Sequence, residues 1–185
     1  MCVTGASGVV LGFRLVAELG KRTSKKIVLV ISKWGWRVAR YEVPRSVIDL
    51  AFKYVSEYYS EHELDAPIAS GSNMFDSVVV APCTLKTLSD IAYSRSSNLI
   101  TRVVEVAFKE CRKVIIVPRE TPLDKNHVKL LYRVAKRGAY VVPPVAAFYA
   151  GGGSLEETVV RYILSKVLRL LGIEDDLYPG WRSSV

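Results

Sequence analysis

Arg119 and Glu120 stand side by side directly after KVIIVP (113–118), a β-branched run closed by Pro118, and Pro122 stiffens the chain again. A base and an acid where a buried strand ends suit a site that holds an anion and manages a proton, whereas a solubility pair on a surface loop is the plainer alternative. TGASG (4–8) joins a strand to a helix through small residues. Its amides can approach a phosphate, the helix start adds a favourable dipole, and Ser7 adds a hydroxyl. A tight turn needs glycine in any case, and TGASG is neither GxGxxG nor a Walker loop. In APCTLKTLS (81–89), Thr84, Leu85, Lys86 and Thr87 bring hydroxyls, amides and a cation to the mouth of a helix; an N-cap beside a solvated lysine explains the same residues. IASGSN (68–73), which contains Ser70, either wraps a ligand or turns the chain. Arg102 and Lys109 share one helix face two turns apart, with Glu105 between them. They form either a cationic wall for a phosphate, in this chain's site or a neighbour's, or a salt-bridged helix surface.

His62 and His127 lie on polar stretches without the spacing of metal ligands. Cys83 follows a strand but has no base near it in sequence, so a buried, inert thiol is expected there.

The elements that must position these groups alternate along the chain. CVT, KKIVLVIS (25–32), SVVVAP (77–82), KVIIVP and AYVVPP (139–144) read as strands. Helical spacing covers VVLGFRLVAELGKR, WGWRVARYE, LITRVVEVAFKEC and HVKLLYRVAKRG, and a helix begins at TLKTLSDIAYS. The stretch 46–59 continues with apolar residues at helical intervals, and Ser154 with Glu156 and Glu157 opens a last helix that runs to Gly172. Strands separated by helices imply βαβ units and one doubly wound, three-layer, mainly parallel α/β sheet of Rossmann-like or flavodoxin-like type. Ligands of such sheets sit at the carboxyl ends of the strands, where Gly5, Ser32, Pro82, Arg119 and Pro143 fall.

A chain of 185 residues, half of them hydrophobic, fits a single domain over 1–185 with a sizeable core. No apolar run approaches the ~20 residues of a membrane span, and Met1 leads straight into a strand, leaving no room for a signal peptide. Three cysteines without metal-like spacing fit a reducing compartment, so the expected location is cytoplasmic. The net charge of +8 invites a nucleic-acid partner. The cations are scattered, however, with no basic stripe interleaved with aromatics, so no nucleic acid is expected.

In order along the chain come TGASG, ISK (31–33), ASGS (69–72), PCTLKTLS (82–89), NLITR (98–102), FKE (108–110), VPRETPL (117–123), PPVAAFY (143–149) and GIEDDLYPGW (172–181). Together they resemble the flavin prenyltransferases, a family formerly described as aromatic-acid decarboxylases of the ubiquinone pathway, over essentially the whole chain. The fold implied is that of flavin-containing cysteine decarboxylases, with residues 154–185 closing the site. The resemblance implies a metal-independent transferase that joins the dimethylallyl group of dimethylallyl phosphate to reduced FMN. The product is prenylated FMN, the cofactor of a separate decarboxylase. By motif, Gly5, Ala6, Ser7, Ser32, Thr84, Leu85, Lys86, Thr87 and Arg119 hold the flavin. Ser70, Arg102, Lys109, Glu120, Tyr149 and Lys166 surround the allylic phosphate. Glu42 stands near the reacting flavin edge, and Trp181 helps close the prenyl pocket. Glu120, Lys109, Glu42 and Ser7 are the implied catalytic groups. The family forms closed homo-oligomers, dodecamers by resemblance, with the site between subunits, so that Arg102 and Lys109 act in trans.

The chain departs from the family in three places. Its first strand is short, GGG (151–153) replaces a more polar loop, and Lys166 stands where some relatives carry arginine, with Arg161 as a substitute. Two rival readings remain: an FMN-dependent decarboxylase of cysteinyl or aromatic acids on the same fold, and a non-enzymatic flavin binder. The cysteinyl decarboxylases use an active histidine, and neither histidine here is expected at a strand's carboxyl end.

Overall fold

The computed structural model describes residues 1–148 and 153–179. Six parallel strands form one sheet: β1 (Cys2–Val3), β2 (Val28–Ile31), β3 (Glu57–Ser60), β4 (Ser77–Cys83), β5 (Lys113–Pro118) and β6 (Tyr140–Val141). Between them run α1 (Val9–Arg22), α2 (Lys33–Glu42), α3 (Arg45–Phe52), α4 (Leu85–Ala92), α5 (Leu99–Lys109) and α6 (Lys125–Lys136), and α7 (Leu155–Leu170) closes the order. The strand order is β3-β2-β1-β4-β5-β6, so the direction of winding reverses between β1 and β4. That reversal opens a crevice at the carboxyl ends of those two strands.

Strict alternation in the strands builds two cores. Leu29, Ile31, Val79, Ala81, Ile115 and Val117 point to the face covered by α1, α2, α3 and α7. Val30, Val78, Val80, Val114 and Ile116 point to the face covered by α4, α5 and α6. Both faces are thus buried, which is why the strands read as unbroken apolar runs. The helices start where side chains can cap them: Asn98 and Asp124 form capping boxes on α5 and α6, and Ser154 caps α7.

The stretch 46–59 is not one continuing helix: α3 ends at Phe52, and β3 follows. Tyr58 packs on Trp36 and Phe52 on one side of the sheet while Tyr59 meets the opposite core. Four residues are too few for a period of two to stand out against the helical spacing before them. The edge strand β3 also moves His62, which now lies just past a strand's carboxyl end, contrary to expectation. It remains two strands, about 10 Å, from β1.

Gly12 seats α1 on the sheet. A Cβ there would lie 2.5 Å from the Ala81 carbonyl oxygen and 2.7 Å from Val3. At the other end of the strands, a cleft of about 1,060 Å³ lined by residues such as Met1, Arg22, Phe75 and Val103 includes none of the candidate site residues.

Candidate functional site at the sheet reversal

Two turns flank the crevice, and Thr4 stitches them together. Its hydroxyl donates to the Pro82 carbonyl at 2.8 Å and accepts the Thr84 N–H at 2.9 Å. The Thr4 N–H adds a third link to Pro82 at 3.3 Å. At the end of a buried strand such a hydroxyl must be paired, and this pairing keeps Gly5, Ala6 and Ser7 beside Thr84. In the sequence, the only signal for this role is a threonine closing an apolar strand.

Ser7 is exposed on the first turn. Gly5 lies under Trp34, whose Cβ would be 2.3 Å from a Cβ added at position 5, so α2 closes tightly over the turn. Gly8, at φ +88°, opens α1, and its N–H donates to Glu42 Oε2 at 2.8 Å. Glu42 therefore sits at the mouth of the crevice with its charge on the positive end of a helix. Ser32 is buried and caps α2 by accepting the Gly35 N–H at 2.9 Å.

On the second turn, Thr84 caps α4 by accepting the Thr87 N–H at 3.2 Å, and its hydroxyl donates to Thr87 Oγ1 at 3.0 Å. Leu85 and Lys86 contribute the first backbone amides of the helix. The Lys86 ammonium turns along α4 to Asp90, 2.8 Å away, and Asp90 also accepts from Ser97 at 2.7 Å. The expected cation is thus bound to its own helix. Burial alone would push the Asp90 carboxyl up, but hydrogen bonds from Lys86 and Ser97 and the nearby charges outweigh it and hold it below the usual aspartate value. Cys83 is buried, and burial first, then the neighbouring Cys2, pushes its thiol far up, which makes it a poor nucleophile.

Arg119 leaves the end of β5 with its N–H on the Cys83 carbonyl at 3.2 Å, which brings it against the second turn. Its Nε is buried and has no hydrogen-bond partner among the described residues. A buried, unpartnered guanidinium nitrogen is costly unless an anionic or acceptor group completes it. Glu120 is exposed beside it and accepts the Thr121 N–H at 3.1 Å. The rim thus brings together helix-start amides, hydroxyls and one guanidinium, the kinds of group that bind an anion.

The remaining cations are elsewhere in the chain. Lys109 ends α5 just before β5 begins, whereas Arg119 follows the end of β5; six strand residues, about 20 Å, separate those levels. Ser70 belongs to a turn that packs on Lys109 and Glu110 at Gly71. Arg102 donates through Nε to the Ala69 carbonyl at 2.9 Å. Arg112 reaches the carbonyls of Gly71 and Asn73 at 2.9 and 3.0 Å, a clamp that sequence reasoning missed. Glu105 does not pair with Arg102 or Lys109; it takes Arg137 in two hydrogen bonds of 2.8 and 3.0 Å. Lys166 is exposed on α7, about 16 Å along the axis from Leu155, with its ammonium over the Tyr162 ring. Arg161 instead donates to the Leu177 carbonyl at 2.8 Å and holds the tail. Lys109 therefore does not reach the Arg119 end of the crevice within one chain. Tyr149 and Trp181 lie outside the described residues.

Among the described residues no cluster of three or more metal-ligating side chains occurs, and no helix is long and apolar enough to cross a membrane.

Residues 1–171 match the family model described as Flavoprotein. The chain is 39% identical to "Flavin prenyltransferase UbiX" of Methanocaldococcus jannaschii, over 98% of this chain and 96% of that protein. The fold superposes with a TM-score of 0.89 on "AnUbiX (PadA1) in complex with FMN and dimethylallyl pyrophosphate", 32% identical, covering 98% of this chain and 95% of the other. It superposes equally well, at 0.89 and 30% identity, on a "dodecameric FMN-dependent Ubix-like Decarboxylase" from Escherichia coli O157:H7, covering 99% and 100%.

Proposed function

We propose that this chain, which belongs to the flavin prenyltransferase family of flavoproteins, transfers the dimethylallyl group of dimethylallyl phosphate to reduced FMN. The observation that carries the reading on the chain itself is the buried, unpartnered Nε of Arg119 beside the turns at Gly5–Ser7 and Thr84–Thr87. Reduced FMN supplies the electron pair of the new carbon–nitrogen bond, and phosphate departs with the pair of the broken carbon–oxygen bond.

The chain's residues divide the remaining work. The amides at the starts of α1 and α4, with Ser7 and Ser32, bind and orient the cofactor, and Arg119 completes its anionic part. Ser70, Arg102, Lys109 and Lys166, together with Tyr149, bind the allylic phosphate and stabilise the charge that grows on it as it leaves. Lys109 and Arg119 lie at opposite ends of β5, which supports Arg102 and Lys109 acting on the crevice of a neighbouring copy. Lys166 offers a point charge where a guanidinium would grip two oxygens. Glu120 and Glu42, both exposed at the mouth, hold or move protons at the phosphate and the flavin edge. Trp181 and the segment 154–185 close the pocket and keep water from the reacting carbon.

The whole of 1–185 works as one flavin-binding unit in a closed homo-oligomer, a dodecamer by similarity. It resides in the cytoplasm and hands its product to a decarboxylase that depends on prenylated FMN. Anaerobic incubation of the protein with reduced FMN and dimethylallyl phosphate, followed by mass spectrometry of the extracted flavin, tests the activity. A flavin heavier by one five-carbon unit is expected, and unchanged flavin overturns the reading.

A further inference from the structure

Glu61 follows the carboxyl end of β3 and has no part in the roles assigned above. One of its carboxylate oxygens accepts the Lys33 N–H at 2.7 Å, at the first residue of α2 and next to Ser32. The other accepts a side-chain N–H of Asn98 at 2.8 Å. Its main-chain carbonyl takes the Leu99 N–H, also at 2.8 Å. Asn98 cannot turn its amide away, because its Oδ1 already accepts the Thr101 N–H at 3.0 Å in the α5 capping box. Arg102 lies one turn further, with its N–H on the Asn98 carbonyl at 2.9 Å.

One side chain therefore fastens the beginnings of two helices that differ in task. The start of α2 carries Ser32, on the cofactor side of this chain's own crevice. The start of α5 carries Arg102, part of the cationic set offered to a neighbour. Both carboxylate bonds are charge-assisted, and the bond at the positive end of α2 gains from the helix dipole. Neither helix has an acidic residue in its own first turn. Glu61 supplies that charge from outside.

We propose that Glu61 is a positioning residue for prenyl transfer, locking the Ser32 turn and the Arg102 helix into one rigid piece so that cofactor and donor phosphate are placed by the same carboxylate. The inference rests on the prenyltransferase reading and is separable from it. Glu61→Ala should raise both the FMN dissociation constant and the KM for dimethylallyl phosphate about tenfold, the loss of a charged hydrogen bond, with kcat within about threefold. Glu61→Gln keeps one acceptor oxygen but turns an N–H toward the second donor, so both constants should rise less; it serves alone if the alanine variant does not fold. Constants that stay at wild-type values, or a fall in kcat and melting temperature without a change in either constant, overturn the proposal. Should the wild-type protein form no adduct, the functional reading fails while fluorescence titration with FMN still tests the Ser32 half.

Discussion

The crevice rim and the α5 flank carry the same kinds of group but treat them differently. At the rim, Thr4, Ser32 and Thr84 spend their hydroxyls on backbone pairing, which fixes two helix starts. Arg119 is left with a buried nitrogen that no described residue satisfies. On the flank, Arg102 and Arg112 hold main-chain carbonyls of the 69–73 turn, and Lys109 sits against Glu110 at 3.1 Å. Under the proposed function, the rim is where the cofactor binds. The flank is a surface ordered within its own chain, and its Lys109 lies at the far end of β5 from the rim. Under the proposed function, Lys109 serves the crevice of another copy.

The comparison breaks most sharply at Arg119. Arg119→Ala should weaken FMN binding about 100-fold, the upper range for one charged contact to an anion, with little loss of melting temperature because its Nε has no partner to lose. Titration by flavin fluorescence alongside a thermal melt checks both halves, and unchanged affinity would remove Arg119 from the receptor. Mixing tests the division between chains. Lys109→Ala and Arg119→Ala should each be inactive alone, yet on co-assembly about a quarter of sites regain both groups if the two come from different copies. No recovery in mixed oligomers, with mixing verified by native mass spectrometry, would put both groups in one chain's site.

Smaller effects sharpen the picture of the rim. Asp90 has a depressed carboxyl, so its contribution is present above the ordinary aspartate value of 3.8 and fades as pH falls through the lower folded value. Asp90→Asn should therefore lower the melting temperature at pH 7, and the gap to wild type should shrink in melts below that value. Last, Thr84→Ala should cost about 1 kcal/mol by removing the α4 cap. Urea unfolding reads that cost, and FMN affinity should fall only a few-fold.

Much of this was legible in the residues, and the parts that were not have physical reasons. Parallel strands covered on both faces announce themselves as β-branched runs, so β2, β4 and β5 were plain. β3 hid behind α3 because Tyr58 and Tyr59 continue an apolar rhythm and only their opposite orientations in space distinguish them. Lys86 looked like a ligand cation since nothing in sequence says that Asp90, one turn on, will claim it. The separation of Lys109 from Arg119 follows once the strand between them is counted, yet ten positions in sequence look like proximity. Glu61 was invisible: its partners, Lys33 and Asn98, come from segments that only the strand order makes neighbours.

Gly12 shows how far from the rim the size of the crevice is decided. With no side chain there, the backbone of α1 comes down onto the Ala81 carbonyl, one helical turn below Gly8. A single methyl at that point would act as a wedge, lifting the helix and splaying the two mouths apart. The bore of the receptor is thus gauged by an atom that is missing from its floor.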